Sequence, residues 1–486
     1  MNAEKPTNWW RRPCGGREVL VLALPLVIST ASWSVMNFAD RMFLLWFSTR
    51  AMAAAMPAGV LYFSLICFPL GVAMYVNTFV AQYHGAGRPH RIGPVVWQGV
   101  RIGVFVMPVF LLTIPLAPTV FAIAGHEGQV ACLEVIYYQI LCFGAAAQVI
   151  AAAMSCFFTG RGRMRVVMVV DASAALLNVV LDYAWIFGHL GFPAMGIEGA
   201  AWATVVSQWF RVVVYWRLMM RPVHWERYQL VAGRRFDAAL LRRLLRFGGP
   251  NGLQFFVEVS AFAMFILLVG RLGENAMAAT TLAFNVNNLA WVPMLGMGIA
   301  LTTMVGQQLG RNRPDLAARA TWTAFWMAQA YLCTMAVLYV AVPDLFLLGH
   351  ASGTTPQQFT ELRNVTVVLL RFVAAYSLLD AINIIFVSAI KGAGDTRFVL
   401  LVSTVMSPVP VAATWLGIVY LDWGLLWCWA VVTAWVCALA IVYLARFLQG
   451  RWRMMRVIEP PIAAETAETD DEPSAEPAAV LGADGA

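Results

Sequence analysis

One stretch of this chain occurs twice, and that duplication constrains the fold more than any other feature. Residues 25–89 align without a gap on residues 250–314 at an offset of 225: Pro25 falls on Pro250, Ala51-Met52-Ala53-Ala54 on Ala276-Met277-Ala278-Ala279, and Arg88-Pro89 on Arg313-Pro314. Between these, Gly71 meets Gly296, Thr78 meets Thr303, Val80 meets Val305, Gln82 meets Gln307 and Gly85 meets Gly310. Gapless register across prolines and glycines, whose backbone demands are specific, identifies two homologous halves. A second anchor, Gly160-x-Gly162-x-x-Arg165, recurs as Gly392-x-Gly394-x-x-Arg397 at an offset of 232, so a single seven-residue length change separates the two anchors.

The solvent of these halves follows from composition. The chain is 60% hydrophobic and 12% charged, with mean hydropathy +0.71, against roughly 45–50% and 25% in soluble domains. It is an all-α polytopic membrane protein. The net charge of +7 does not point to nucleic acid, because the basic residues sit in short loops between apolar runs, where membrane orientation explains them. Nineteen tryptophans suit interfacial belts. The eight cysteines (14, 67, 132, 142, 156, 333, 428, 437) are scattered without a C-x-x-C, and the six histidines lie in or near loops without clustering. Neither a disulfide framework nor a metal or haem site is indicated, and no cofactor is expected. Arg11-Arg12 precedes an apolar run with no small-residue cleavage site, so that run reads as an uncleaved first span.

Apolar segments of about 20 residues, bounded by Arg, Gly and Pro, give twelve spans. They fall near 18–44, 53–82, 94–123, 130–158, 165–188, 197–220, 245–270, 276–309, 317–348, 362–390, 397–420 and 424–447. The connections holding Arg88 and Arg91, Arg161 to Arg165, Arg221 to Arg246, Arg311 and Arg313, and Lys391 and Arg397 alternate with connections at 124–130, 188–199, 349–361 and 421–423, and the first set predicts a cytoplasmic side. An even span count puts both termini there. The expected organisation is a cytoplasmic N-terminus (1–17), a six-helix lobe (18–220), a basic linker (221–244) with an amphipathic helix at Phe236–Phe247 on the inner leaflet, a second six-helix lobe (245–447), and a disordered acidic tail (448–486). The last 28 residues, from Glu459, hold eight acids and no base. Taking those eight from the 26 acids leaves 18 against 33 bases, or +15 for the remainder, and the tail is assigned no transport role.

Charges at mid-bilayer cost on the order of 2.5–3.5 kcal/mol each, so the intramembrane acids Asp40, Asp171, Asp182, Glu258 and Asp380 are candidate functional groups. Asp171, Asn178 and Asp182 are spaced to lie within about 40° on one helix face. Asn251, Gln254 and Glu258 make a second stripe, and Tyr376, Asp380 and Asn383 a third. For Asn251, Gln254 and Asn383, interhelical hydrogen bonding and a functional role stand level; with Asn288 they are candidates to line a substrate cleft. A desolvated carboxylate can take up a proton or Na⁺ in one conformation and release it in another. Tyr376 can add a cation–π face. Pro25, Pro69, Pro293, Pro408 and Pro410 are candidate kinks, with Pro25 the expected hinge.

Together these residues resemble the MATE (multidrug and toxic compound extrusion) transporters of a larger flippase-like exporter superfamily, over about residues 15–450. The pieces that carry the resemblance are the spacing of Pro25 and Asp40, Asn178-x-x-x-Asp182 followed by Gly199-Ala200-Ala201-x-Ala203-Thr204, Pro250 with Glu258, and Tyr376-x-x-x-Asp380 leading to Lys391-Gly392-x-Gly394-Asp395-Thr396-Arg397. The resemblance implies two six-helix lobes around a central cleft, working by alternating access. It implies a cation site in the N-terminal lobe at Asp40, Asn178 and Asp182, with Thr204 matching more loosely, and another in the C-terminal lobe at Glu258, Tyr376 and Asp380; Asp171 joins the N-terminal candidates from its place on the same helix face alone. Arg41 departs from the pattern: it either snorkels outward or folds onto Asp40 and holds that acid ionised.

The reading is a secondary active exporter of the bacterial-type inner membrane, not an enzyme. It extrudes amphipathic, cationic small molecules against inward H⁺ or Na⁺, acts as a monomer, and has the bilayer, a small-molecule substrate and a coupling cation as its partners. The alternative is a flippase for a lipid-linked or amphiphilic metabolite. The duplication does not extend to the acids, since by the two offsets Asp40 falls on Phe265, Glu258 on Trp33 and Asp380 on Gln148.

Overall fold

The computed structural model describes residues 9–123, 128–347 and 356–460, without the side chains of 356–359 and 361. The termini at 1–8 and 461–486, and most of the connections expected at 124–130 and 349–361, lie outside the described residues. The N-terminal lobe comprises α1 (Gly16–Phe47), α2 (Thr49–Met74) continued by α3 (Val76–Gly85), α4 (Ile92–Thr113) continued by α5 (Ala117–Ile123), α6 (Gly128–Thr159), α7 (Met164–Phe187) and α8 (Ile197–Met219). A short helix, α9 (Pro222–Trp225), follows in the linker. The C-terminal lobe comprises α10 (Ala238–Gly270), α11 (Glu274–Gly310), α12 (Pro314–Ala341) with α13 (Pro343–Leu347), α14 (Pro356–Ala393), α15 (Thr396–Met406) with α16 (Pro408–Val419), and α17 (Leu425–Leu448).

Eleven of these helices or helix pairs are long and apolar enough to cross a membrane. The twelfth is α8, whose 23 residues are long enough at about 1.5 Å each but include Glu198, Arg211 and Arg217. It packs against α6 and α7. All twelve expected spans thus coincide with a helix or a pair of consecutive helices. The helices run unbroken through Pro25, Pro69, Pro250 and Pro293. Of the expected kinks only Pro408 ends a helix, where the missing N–H starts α16 afresh.

The duplication is visible in the packing. Within the N-terminal lobe α2, α4 and α8 pack on the buried α6; within the C-terminal lobe their repeat mates α11, α12 and α17 pack on α14. Between lobes, α1 packs on α11 and α10 on α2, which are the same contact related by the pseudo-two-fold axis. Close approach at this seam depends on small residues. A methyl group on Gly71 would lie 2.7 Å from Cα of Gly252, and one on Gly296, the mate of Gly71, 2.6 Å from the nitrogen of Val27, the mate of Gly252. The turns after α3 and α11 need a left-handed residue at equivalent positions, filled by Gly87 (φ 71°) and Asn312 (φ 57°).

The lobes are joined by hydrogen bonds in the halves of the helices nearest the basic connections. Thr30 donates to the carbonyl of Val292 (3.3 Å), Asn251 to that of Gly71 (2.8 Å) and Tyr75 to that of Lys391 (2.9 Å). Asn77 Nδ2 donates to Thr303 Oγ1 (2.9 Å), Gln82 Nε2 to the Gly392 carbonyl (3.0 Å) and Gln307 Nε2 to the Gly160 carbonyl (2.8 Å). Toward the opposite end, among the described residues, no hydrogen bond links α1 or α2 to α10 or α11. The seam is closed at the basic end.

Two expectations change here. The amphipathic stretch at Phe236–Phe247 is not a separate helix on a leaflet. Asp237 caps the backbone N–H of Leu240 (2.9 Å) and starts α10, which continues directly into the seventh span with Leu240 and Leu244 buried. The rest of the linker lies against the N-terminal lobe: Trp97 Nε1 donates to the Leu230 carbonyl (2.8 Å), and the Arg161 guanidinium sits 3.7 Å from the ring centre of Phe157 and 4.6 Å from that of Tyr228. Burial, reinforced by Arg161, lowers the His224 imidazole to about 4. The second change concerns the tail. Helix α17 runs to Leu448, and the next residues, expected to be disordered, form a 3₁₀ turn at Arg451–Met454 with Trp452 and Val457 each 1% exposed. Acidic composition could not reveal this, because the packed residues precede the acidic run.

Candidate functional site

Helix α7 carries Asn178 and Asp182 one turn apart on the face that meets α1, and α1 carries Asp40 opposite them. Asn178 and Asp182 are fully buried and Asp40 is 8% exposed. With its amide nitrogen turned toward the acids, Asn178 donates to Asp40 Oδ1 (3.0 Å) and to Asp182 Oδ2 (3.1 Å). The two carboxyls are also in hydrogen-bonding contact with each other. Two acceptors in contact repel unless a proton or cation lies between them. Among the described residues, Asp182 Oδ1 and the buried Thr204 Oγ1 have no hydrogen-bond partner, which leaves two oxygen donors uncommitted in this lobe. Tyr137 of α6 is buried within electrostatic reach of both acids. Arg41 is exposed and makes no hydrogen bond or ion pair among the described residues.

Asp171, two turns before Asn178 on α7, is placed apart from this group. Its Oδ1 accepts from Arg211 Nε (3.0 Å) and Tyr215 OH (3.0 Å) on α8 and pairs with Arg211 Nη2 (2.9 Å); its Oδ2 accepts from Ser29 Oγ on α1. This acid has a resident counter-charge and ties three helices together.

In the C-terminal lobe the structure divides the expected group in two. Glu258 Oε1 on α10 accepts from Gln254 Nε2 (2.7 Å) and from Ser403 Oγ on α15 (2.9 Å), and Lys391 and Tyr443 lie within its electrostatic reach. Asp380, on α14, is approached by Asn383 Nδ2 of the same helix at 3.3 Å, with Tyr376 buried one turn before it. No hydrogen bond or ion pair joins Glu258 to Tyr376 or Asp380 among the described residues. Of the cleft candidates, Asn251 binds the Gly71 carbonyl across the seam, Gln254 holds Glu258, Asn383 approaches Asp380, and Asn288 is exposed. A hollow of about 540 Å³ lies elsewhere, between the outer ends of α10 and α11, where Glu274, Thr281 and Asn285 line it. Pro25 is buried within α1, beside the residues that meet Gly296.

The residues missed from sequence are Arg211, Tyr215, Ser29, Ser403 and Tyr443. Arg211 carried a usable signal, being a base in mid-span on the helix after Asp171; the hydroxyl residues carried none.

A probable multidrug resistance protein NorM from Mannheimia succiniciproducens is 25% identical over 82% of this chain and 85% of its own length. The multidrug resistance protein PmpM of Pseudomonas aeruginosa is 27% identical over 80% of each. Among solved structures, a MOP superfamily transporter from Pyrococcus furiosus superposes with a TM-score of 0.79 at 21% identity over 93% of this chain and 98% of its own. An outward-facing multidrug resistance MATE family transporter superposes with a TM-score of 0.82 at 19% identity, covering 93% of this chain and all of the other. The MatE sequence model matches residues 25–184 and again 250–416. These two stretches make up more than half of the chain and start 225 residues apart, at the offset of the internal repeat, and the protein belongs to the MATE (MatE) family of membrane transporters.

Proposed function

We propose that the protein is a secondary active multidrug exporter of the bacterial plasma membrane that moves amphipathic, cationic small molecules outward in exchange for inward H⁺ or Na⁺. The observation that carries this reading is the buried contact of Asp40 with Asp182, bridged by Asn178. Such a pair is stable while one proton or one monovalent cation is shared between its oxygens, and it loses that stability when the ion leaves. Turned the other way, the Asn178 amide offers a third oxygen at 3.0 and 3.1 Å, which suits a cation in place of a proton. The uncommitted Asp182 Oδ1 and Thr204 Oγ1 suit the same task.

The reading also uses the seam. With the basic connections and both termini on the cytoplasmic side, closure at the basic end shuts the cleft to the cytoplasm, and α1, whose buried Pro25 is the candidate hinge, carries both the Thr30 seam contact and Asp40. Charging or discharging the Asp40–Asp182 contact then acts on the helix that also meets α11 of the other lobe, which is the coupling alternating access needs. One chain completes the seam, so a single copy suffices. The Glu258 and Asp380 positions are candidates for a second cation or for the substrate's positive charge.

The test is transport by purified protein in liposomes under an imposed proton gradient and, separately, an imposed Na⁺ gradient. Substrate movement driven by one of them, and lost in Asp40→Asn and Asp182→Asn, supports the reading. Transport that ignores both gradients overturns it.

A further inference from the structure

We propose that Tyr83, Arg88, Arg91 and Arg243 form a carboxylate-binding site at the junction of the two lobes, whose ligand is Glu459 of the chain's own C-terminus, and that this contact latches the basic end of the transporter shut. Its transport consequence rests on the alternating-access reading above; the contact itself does not.

After α17 the chain turns back under the bundle at Gly450, whose φ of 75° is left-handed. Trp452 anchors the returning segment in the C-terminal lobe, stacked on Phe447 (centroids 4.8 Å apart, planes 13°) with its Nε1 donating to the Phe447 carbonyl (2.9 Å). Five residues later Val457 is buried with N-terminal-lobe residues, and its backbone N–H donates to Gln82 Oε1 (2.8 Å). The same Gln82 uses its other amide atom to bind the Gly392 carbonyl across the seam. A methyl group on Gly394 would lie 2.8 Å from Val457 Cγ1, so the segment passes directly over the repeated Gly-x-Gly turn of the C-terminal lobe.

Glu459 then completes the crossing. Its Oε1 accepts from Arg91 Nε (3.0 Å) and pairs with Arg91 Nη2 (2.7 Å); its Oε2 accepts from Tyr83 OH (2.7 Å) and Arg243 Nη1 (2.7 Å); its backbone carbonyl accepts from Arg88 Nη1 (2.9 Å). Four side chains from three elements converge on one residue. Tyr83 ends α3, Arg88 and Arg91 flank the following turn, and Arg243 stands on the first turns of α10, the helix that opens the other lobe. Opening the basic end separates Gln82 from Gly392 and α3 from α10, so Glu459 cannot keep Arg91 and Arg243 together with Trp452 in place.

The experiment is hydrogen exchange on the full chain in liposomes, comparing wild type with Glu459→Ala, the milder Glu459→Gln, and Arg243→Ala. Loss of the latch raises exchange roughly fivefold or more in peptides from both lobes at the basic end, around residues 76–92 and 300–313, and leaves the outer ends unchanged. Arg243→Ala and Glu459→Ala together give no more than the larger single effect. Truncation after residue 460, which keeps Glu459, behaves as wild type. Exchange that rises only within residues 451–460, or in neither lobe, overturns the latch, even where transport remains gradient-driven. Absence of gradient-driven transport with the exchange difference intact instead overturns the exporter reading alone. Because Glu459→Gln keeps the volume and loses the charge, it carries the comparison if Glu459→Ala does not fold.

Discussion

Gly85 at the end of α3 lies so close beneath Gln307 of α11 that a methyl group on it would overlap the Gln307 backbone carbonyl, and Gly310 stands to the carbonyl of Gln82 in the same way. Each lobe thus uses one glycine to admit the other lobe's glutamine, and that glutamine's side chain binds a carbonyl in the opposite half: Gln82 that of Gly392, Gln307 that of Gly160. The closed seam at the basic end is built from one motif used twice.

Gly85→Ala and Gly310→Ala are therefore expected to penalise the state closed at the basic end by about 1–3 kcal/mol, the usual cost of overpacking. The measurement is hydrogen exchange at residues 76–85 and 300–310, which rises in both variants. Gly59→Ala is the control, because nothing lies within 4 Å of the added methyl group; it leaves the seam unchanged and adds about 0.5–1 kcal/mol of helix stability, read as an unchanged or higher melting temperature.

Asp40→Asn and Asp182→Asn each cut gradient-driven transport tenfold or more, about 1.4 kcal/mol or above. The double variant falls no further than the weaker single one, since the carboxyls act as one unit. Glu258→Gln and Asp380→Asn, which share no hydrogen-bonding partner, combine instead to within about 0.5 kcal/mol of additivity. A four-variant transport cycle in liposomes for each pair checks the contrast.

Asp171→Asn removes the counter-charge of Arg211, and the side chains of this pair are only 16% and 21% exposed. Breaking a largely buried pair from one side costs about 3–5 kcal/mol, so the melting temperature falls, and Arg211→Gln lowers it similarly. The choice between H⁺ and Na⁺ is expected to stay as in wild type, because Asp171 is paired with Arg211 and Tyr215. A change of ion dependence in Asp171→Asn transport assays would return this residue to the coupling site.

Glu459 sets a pH expectation outside the membrane. Its partial burial alone would raise the carboxyl, but the Tyr83 hydroxyl and Arg91 outweigh that and hold it at about 2 against an ordinary 4.5. A depressed value means the stabilisation is fully present above the ordinary value and is lost as pH falls through the folded one. Protection at the basic end, corrected for intrinsic exchange rates, stays flat from about pH 5 upward and is lost progressively below about pH 4.

The sequence alone determined the paired architecture, because helices are the only open-ended way to satisfy backbone polar groups in lipid and their twelve apolar runs are written in local order. It also determined the Asn178–Asp182 stripe, since residues four apart share a helix face whatever surrounds them. Only the tertiary structure decided which acids meet. Asp40 and Asp182 are 142 residues apart in the chain and are brought together by the packing of α1 on α7, whereas Asp171, on the same stripe, is taken by Arg211 of α8. Glu258 finds Ser403 on a helix 145 residues away and, among the described residues, makes no hydrogen bond to Asp380. The tail shows the same division. Composition marks its acidic run, but the position of Glu459 among two lobes' arginines depends on a turn at Gly450 and a buried Trp452, and contacts of that range are fixed by three-dimensional packing that no local pattern in the chain encodes.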